Sequence, residues 1–380
     1  MNVTTDVLVI GAGPTGLAVA VSLVQQGFDV TIADDQAEGD NTSRAAVVHA
    51  RTLEVLEPLG VTKKMTGLGI HSPRFTIRDR DRVLVPVDFS RLPTPYPYTL
   101  MISQADTERI LLDRFEELGG RVARPYRVVA VEQDAEGATA TFADGSQVRA
   151  GYLVGADGMH STVREQVGIG FTGGTYAESF SLADVRLSGG VPADEVELFF
   201  SPDGLVVVAP LPGGTFRIVA TVEEAPELPD VAFVQRLLDA RGPVKERVVV
   251  EEVVWGSRFR VHHRVADAYR SGRVVLAGDA AHVHSPAGGQ GMNAGLQDAA
   301  ALGEALGQAL RSGSAAPLDA YAAARRPVAE QVVAFAGRLT ALATVNRRLR
   351  PLRNIALRCL AVLPPFRRKL AWRLSGLVYR

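Results

Sequence analysis

The stretch DVLVIGAGPTGLAVAVSLVQQGFDVTIADD, residues 6–35, decides the fold. Asp6 to Ile10 is a short run of branched apolar residues, the pattern of a strand buried on both faces. GAGPTG follows at 11–16, then LAVAVSLVQQ, which has helical length and ends at Gly27. FDVTIADD reads as a second buried strand. A G-x-G-x-x-G between a strand and a helix is the context in which that motif carries meaning. Gly11 allows the tight turn, Gly13 lets backbone approach a pyrophosphate, and Gly16 lets the helix pack closely on the strand. Pro14 and Thr15 open the helix, whose free N–H groups attract phosphate. Asp34 closes the second strand 23 residues after Gly11, placed to accept hydrogen bonds from ribose hydroxyls. Neighbouring Asp35 reads as a solvated loop acid. A glycine-rich turn with a solvated Asp34 is the plain alternative, but strand, helix, strand and acid together point to a dinucleotide. NAD and FAD both use this element.

Composition bounds the rest. The 380 residues are 47% hydrophobic and 22% charged, ordinary for a globular protein. The net charge of −1 gives no global pull toward nucleic acid. A single cysteine, Cys359, cannot form an internal disulfide or hold a Cys₄ zinc or iron–sulfur site. The N-terminal apolar run lacks a basic region before it and stops quickly in glycine, unlike a signal peptide. No apolar segment approaches ~20 residues, so no membrane span is expected and a cytoplasmic location is the default.

Outward from the first motif, RTLEVLEPLG at 51–60 reads as a helix. RFTIRDRDRVLVPVDF alternates like a hairpin, and RLPTPYPYTL is extended and proline-rich. SQADTERILLDRFEELGG has a helical period with Ser103 as N-cap. Strand patterns follow at 121–132, 138–142 and 147–155, and residues 173–262 alternate as an antiparallel sheet interrupted by one helix near 230–240. RVVLAGD at 273–279 returns to a buried strand, and long helical stretches follow from Met292 and from about Leu318 to Thr344. Strands 6–10, 28–34, 152–156 and 273–277 are expected in one parallel sheet. The expected fold is α/β: a Rossmann-type unit from residues 1–70, 101–172 and 267–345, an inserted antiparallel β domain from 71–100 and 173–266, and a helical tail at 346–380.

Two further stretches carry chemistry. GDAAHVHSPAGGQGMN, 278–293, follows a strand and opens a helix. A metal site from Asp279, His282 and His284 is a poor reading, because no helix holds the two histidines on one face and no carboxylate follows until Asp298; no metal is expected. A site at the C-terminal edge of a parallel sheet fits better. Gly278 and Asp279 end the strand, Gly288, Gly289 and Gly291 let a flat ring approach the backbone, and the N–H groups of Met292 and Asn293 can hold a ring carbonyl. A bare helix cap is the alternative. The third stretch, YLVGADGMHSTVRE at 152–165, is a strand, a turn at Asp157-Gly158, and a helix capped by Ser161.

In this order and spacing the three elements resemble the single-component FAD-dependent aromatic hydroxylases, the class A flavoprotein monooxygenases with the para-hydroxybenzoate hydroxylase fold. The resemblance spans residues 1 to about 340. It implies that Asp34 meets the adenosine ribose, Arg44 the pyrophosphate, Gln104 the FAD linker, Asp157 and Gly158 the DG motif shared by FAD and the nicotinamide coenzyme, and Asp279 the ribityl–pyrophosphate region. Pro286 resembles the proline beside the flavin edge, and Met292 and Asn293 the residues under the pyrimidine carbonyls. The family pattern departs at Ala301, Glu304 and Ala324, on helices away from the ring. No thioredoxin-like C-terminal domain of the larger members is expected, and the chain is similar to the shorter, polyketide- or antibiotic-modifying type.

The resemblance implies that NADH or NADPH reduces FAD, that reduced flavin takes O₂, and that a flavin C4a-hydroperoxide transfers one oxygen to an aromatic or polycyclic substrate. The alternatives are an FAD-dependent dehydrogenase or reductase, or a non-catalytic flavin-binding protein. No second G-x-G-x-x-G follows a strand, so no separate nicotinamide domain is expected, and the W-x-W-x-I-P signature of flavin halogenases is absent. Phe180, Phe199, Leu211 and Trp255 are candidates for an apolar substrate wall, with plain core as the equal alternative. Arg217 and His49 are candidates to meet a polar substrate group, with structural roles as the equal alternative. The chain is expected as a monomer or homodimer. Its tail holds ten Lys/Arg and no acid. The tail is expected to pack across the acidic body as helices, with peripheral membrane contact as the second reading.

Overall fold

The apolar run Val7–Ile10 lies inside an eight-stranded sheet, with Val7, Leu8 and Val9 fully buried. The Asn2–Ile10 strand pairs in parallel with Gln147–Gly155 on one side and Val30–Ala33 on the other, and Val274–Leu276 extends the parallel set. Ile10, Ala33, Gly155 and Leu276 stand abreast in register, so the loops after all four strands leave from one edge. The chain goes one way from Asn2–Ile10 to Val30–Ala33, with Val122–Ala123 added beyond it, whereas Gln147–Gly155 and Val274–Leu276 are added on the opposite side. That reversal opens a crevice beyond the carboxyl ends of the strands. The computed structural model describes residues 2–39, 45–201, 203–346 and 348–380.

Helix α1 (Pro14–Gln25) follows the first strand; α2 (Ala50–Leu56) and a 3-10 turn at Glu57–Leu59 occupy the stretch expected as helix at 51–60, Gly60 at φ 78° ends it, and α3 (Thr62–Leu68) follows. α4 (Gln104–Glu117) is capped by Ser103, whose Oγ accepts from the Asp106 N–H at 3.0 Å. α5 (Thr162–Gln166) is capped by Ser161 through the Arg164 N–H at 2.9 Å.

The second sheet runs, edge to edge, His282–Val283, Val249–Ala266, Phe171–Ser188, Thr215–Val222, Gly204–Leu211, Glu195–Ser201, Arg74–Asp79 and Arg82–Asp88. It is antiparallel except where Glu195–Ser201 meets Arg74–Asp79. Gly213 and Gly214 have positive φ and make the hairpin turn between Gly204–Leu211 and Thr215–Val222. α6 (Val231–Arg241), capped by Asp230, covers one face of this sheet with Val234, Leu237 and Leu238 packed on Phe199, Val206, Val208 and Ile218. The other face carries Leu205, Ala209 and Leu211 toward Ala46, Met101 and the C-terminal helices. Val47–Val48, Thr99–Met101 and Ile70–Ser72 form a small sheet.

α7 (Gly291–Ser312) buries a continuous face against α1, and α8 (Ala316–Ala343) follows with Pro327 inside it. The tail forms α9 (Arg350–Val362) and α10 (Pro364–Leu374). It packs on acidic groups of the body: Arg350 pairs with Asp79, and Arg380 with Glu54. No described helix is long and apolar enough to cross a membrane.

Candidate functional site

The three glycines of 11–16 do three different jobs. A Cβ on Gly11, at φ 102°, would stand 2.3 Å from the Ala156 carbonyl oxygen. A Cβ on Gly16 would stand 2.0 Å from the Gly11 carbonyl oxygen. A Cβ on Gly13 would meet no protein atom within 4 Å. Gly11 and Gly16 are therefore required by the chain's own packing, and Gly13 faces the crevice. Helix α1 points its N-terminus at that crevice with no side-chain cap and no acid in its first turn. Its N–H groups and dipole suit a pyrophosphate.

Asp34 lies at the same edge. Its Oδ2 accepts from the Ala12 N–H at 2.7 Å and its Oδ1 from the Gln36 N–H at 3.1 Å, with Arg124 Nε 3.7 Å away. These bonds orient the carboxylate and leave acceptor capacity for ribose hydroxyls. Arg44 lies outside the described residues. Gln104 holds the segment just after it: Ala45 N–H donates to Gln104 Oε1 at 3.2 Å, and Gln104 N–H to Ala45 O at 2.9 Å.

The DG turn packs directly on the first glycine turn, with Ala156 N–H donating to Ile10 O at 2.8 Å. Asp157 accepts from Ser161 Oγ at 2.6 Å and from the Val163 N–H at 3.1 Å. Burial pushes its carboxyl above the ordinary range, against those two bonds. Gly158 takes φ 78°. The sequence reading gave Arg164 no role. It is buried, donating to Ala280 O at 2.9 Å and Met159 O at 3.0 Å, with its guanidinium 3.9 Å over the Phe171 ring. The DG turn and the loop after Leu276 are thereby tied together.

That loop is held on every side. Gly278, at φ 61°, packs on Thr15, where a Cβ would stand 2.6 Å from Thr15 Oγ1; Gly295 of α7 meets the same hydroxyl. Thr15 thus sits between α1, the loop and α7. Asp279 is exposed between buried Gly278 and Ala280. His282–Val283 joins the second sheet opposite Arg264 and Val265. Pro286 O accepts from the Gly289 N–H at 2.9 Å, and Gly288 and Gly289 both take positive φ. The N–H groups of Gly291, Met292 and Asn293 open α7 without a side-chain cap or first-turn acid. The Asn293 side chain does more than the sequence suggested. Its Nδ2 donates to Val47 O at 2.9 Å and Gly289 O at 2.7 Å, and its Oδ1 accepts from the His49 N–H at 2.7 Å. Gln290 reaches the tail, donating to Leu374 O at 3.0 Å.

The histidines of the loop have protein partners. His282 Nε2 lies 2.6 Å from Asp298 Oδ2, and Arg325 Nε donates to Asp298 Oδ1 at 2.7 Å. Burial opposes ionisation of Asp298, but Arg325 and His282 outweigh it and hold the carboxyl below its ordinary value. His284 Nδ1 is 2.8 Å from Ser285 O.

The substrate candidates divide. Asp184 and Arg217 are cross-strand neighbours, and Arg217 reaches out of the sheet to Ala45 O at 2.8 Å, so their face looks toward the crevice. Phe180 and Leu211 share that face by alternation and pairing. Phe199 does not: it is fully buried beneath α6 on the opposite face and is core. Arg217 is 1% exposed and forms two 2.7 Å bonds to Asp184, so it is a buried tie and not a group presented to substrate. His49 is fully buried, its Nε2 2.9 Å from Gly288 O, and burial drives its pKa down to about 4; it belongs to the loop network. Trp255 is half-buried, 5.7 Å from the Arg217 guanidinium, and lines an open groove of about 500 Å³ with Leu228, Pro229 and Val231.

Three loops, two uncapped helix N-termini and an open Gly13 fit an FAD molecule extended along the crevice. The comparisons agree. A sequence family described as "FAD binding domain" matches residues 4–336. The chain is 37% identical to 6-methylpretetramide 4-monooxygenase of Streptomyces rimosus over 98% of its own length and 68% of that protein. It is 35% identical to pentachlorophenol 4-monooxygenase of Sphingobium chlorophenolicum, over 86% of this chain and 63% of that one. Its fold superposes on the p-nitrophenol 4-monooxygenase of Pseudomonas putida DLL-E4 with a TM-score of 0.87 at 26% identity, covering 99% of both chains. It superposes on the anhydrotetracycline hydroxylase of Streptomyces rimosus with a TM-score of 0.81 at 35% identity, covering 98% of this chain and 76% of that one. The glycine turn, the DG turn and the loop after Leu276 are the family's three signatures brought to one sheet edge, and the chain belongs to the FAD-dependent aromatic hydroxylases, the class A flavoprotein monooxygenases.

Proposed function

We propose that this protein is an FAD-dependent monooxygenase that consumes NADH or NADPH and O₂ and hydroxylates an aromatic or polycyclic, polyketide-like substrate in the cytoplasm. The observation that carries the proposal is the alignment of Ile10, Gly155 and Leu276 at one sheet edge, beneath a second sheet whose inner face bears Phe180 and Leu211. Bound FAD would supply the redox chemistry, accepting a hydride from NAD(P)H and activating O₂ for transfer of one oxygen atom to carbon.

The chain's own residues bind, orient and exclude water. Asp34 and the α1 N-terminus would hold the adenosine and pyrophosphate. The α7 N-terminus would stabilise negative charge on the ring's pyrimidine side. Met101, Ala209 and Leu211 belong to one apolar cluster that would keep water from the reacting carbon. The coenzyme has no domain of its own in this reading. His160 of the DG turn stands near His262, whose pKa burial lowers, with Arg264, His160, His263 and Arg260 lowering it further. His262 is thereby held neutral, and the positive charge beside it, from Arg260 and Arg264, suits the phosphates of NAD(P)H.

The test is product analysis. Purified protein with FAD, NAD(P)H, ¹⁸O₂ and candidate polycyclic phenols should give product heavier by one labelled oxygen. NAD(P)H oxidation without labelled product across a broad phenol panel would favour a reductase. Failure to bind FAD would end the proposal.

A further inference from the structure

Helix α9 is amphipathic with its faces reversed. Its inward side is polar. Arg353, 7% exposed, donates to Leu342 O at 3.1 Å, Ala343 O at 3.3 Å and Phe200 O at 3.1 Å. Asn354 donates to Asp79 Oδ2 at 2.6 Å, and Arg350 pairs with the same carboxylate. Leu357 is the one large aliphatic side chain of the helix that is buried. Its outward side is apolar: Leu352, Ile355 and Val362 are 67%, 58% and 74% exposed, with Leu349, Leu360 and Leu363 beside them. At about 100° per residue these positions fall on one side of the helix and make one apolar face along it.

The roll of the helix is fixed. Turning the stripe inward would strip Arg353 of three carbonyl acceptors and expose the Asp79 pairs, so the apolar side stays outward. Arg348 and Arg358, next to and on α9, and Arg368 and Lys369 on the following helix are exposed, and residues 346–380 hold no Asp or Glu.

We propose that α9 docks this protein on an anionic phospholipid surface, its stripe entering the headgroup boundary and its flanking cations meeting lipid phosphates. Charge selects this occupant over a second copy. A two-fold contact on this face would set one basic border against another, which an acidic bilayer reverses into attraction. The inference is independent of FAD chemistry.

The experiment is flotation of the full-length, FAD-loaded protein with vesicles of phosphatidylcholine alone or mixed with phosphatidylglycerol. The mixed vesicles should carry roughly tenfold more protein than the neutral ones, and added salt should reduce the difference. Leu352→Asp combined with Ile355→Asp changes only exposed side chains and should lose at least roughly tenfold of the flotation at unchanged flavin absorbance and melting temperature. Arg358→Glu with Arg368→Glu should lower flotation on anionic vesicles alone. No flotation on anionic vesicles would overturn the proposal, as would equal flotation of the Asp variant. Light scattering that shows a dimer, dissociated by the Asp variant, with no vesicle binding, would assign the face to a second copy and overturn it too.

Discussion

Arg164 and Ala280 are 116 positions apart in sequence and joined by a 2.9 Å hydrogen bond from guanidinium to carbonyl oxygen. This bond ties the DG turn to the loop that follows Leu276, the two sides of the crevice proposed to hold FAD. Arg164→Ala leaves the Ala280 and Met159 carbonyls without their donor, each worth about 1–3 kcal/mol when buried. Flavin fluorescence titration should show FAD affinity falling roughly 10–100-fold. Arg164→Lys, which cannot reach both carbonyls with a fork, should fall between.

The glycine turn separates packing from binding. Gly16→Ala places a Cβ on the Gly11 carbonyl and should destabilise the fold by about 3 kcal/mol. Gly13→Ala meets no protein atom, so its unfolding free energy should stay within about 0.5 kcal/mol of the parent while FAD affinity drops. Equal melting losses in the two variants would contradict this assignment.

Asp298 is the buried centre of the His282 and Arg325 pairs. Asp298→Asn leaves Arg325 buried without its carboxylate, a loss of about 3–5 kcal/mol by urea unfolding. Asp298→Asn with Arg325→Met should recover part of it. Because its folded pKa is depressed, the Asp298 carboxylate stabilises the fold above its unfolded pKa, and that contribution is lost as pH falls through the folded value.

His49 gives a separate acid response. Burial lowers its pKa from 6.5 to about 4. The unfolded chain takes up a proton below pH 6.5 that the folded chain refuses until about 4. Stability should therefore be full above that window and decline through it by about 3 kcal/mol. His49→Gln keeps a donor toward Gly288 and should flatten the decline between pH 6.5 and 4 in urea titrations at stepped pH.

Phe199 and Leu211 lie on opposite faces of one sheet. Phe199→Ala should cost about 3–5 kcal/mol of stability with little change in substrate KM. Leu211→Ala should shift KM and product distribution among phenols of different size. A KM change confined to Phe199→Ala would reverse the assignment of faces.

The parallel strands were legible because strands buried on both faces read as unbroken apolar runs, as DVLVI and RVVL do. The caps at Ser103 and Ser161 were legible because they depend on local chemistry. Face assignment in EVELFFS was not, since adjacent Phe199 and Phe200 satisfy either alternation. Asp298 entered the sequence reading only as a carboxylate too far along to complete a metal site, and its pairing with His282 was not foreseen. The loop folds back on α7, which spacing alone does not reveal. Whether Arg217 meets substrate or serves structure stayed open in the sequence, because Asp184, 33 positions away, becomes its neighbour only through strand pairing. The tail's composition announced an amphipathic helix but not that an arginine would face inward.

The contact of Thr15 with Gly278 and Gly295 has a consequence for biosynthesis. A nascent chain that has cleared the ribosome to residue 250 already displays the pyrophosphate turn and the DG turn, yet has neither the strand nor the helix that wedge Thr15 in place. The Thr15 contacts are complete only after residue 295 emerges, so flavin capture should be a late event of synthesis. Stalled or truncated translation products should leave the ribosome colourless.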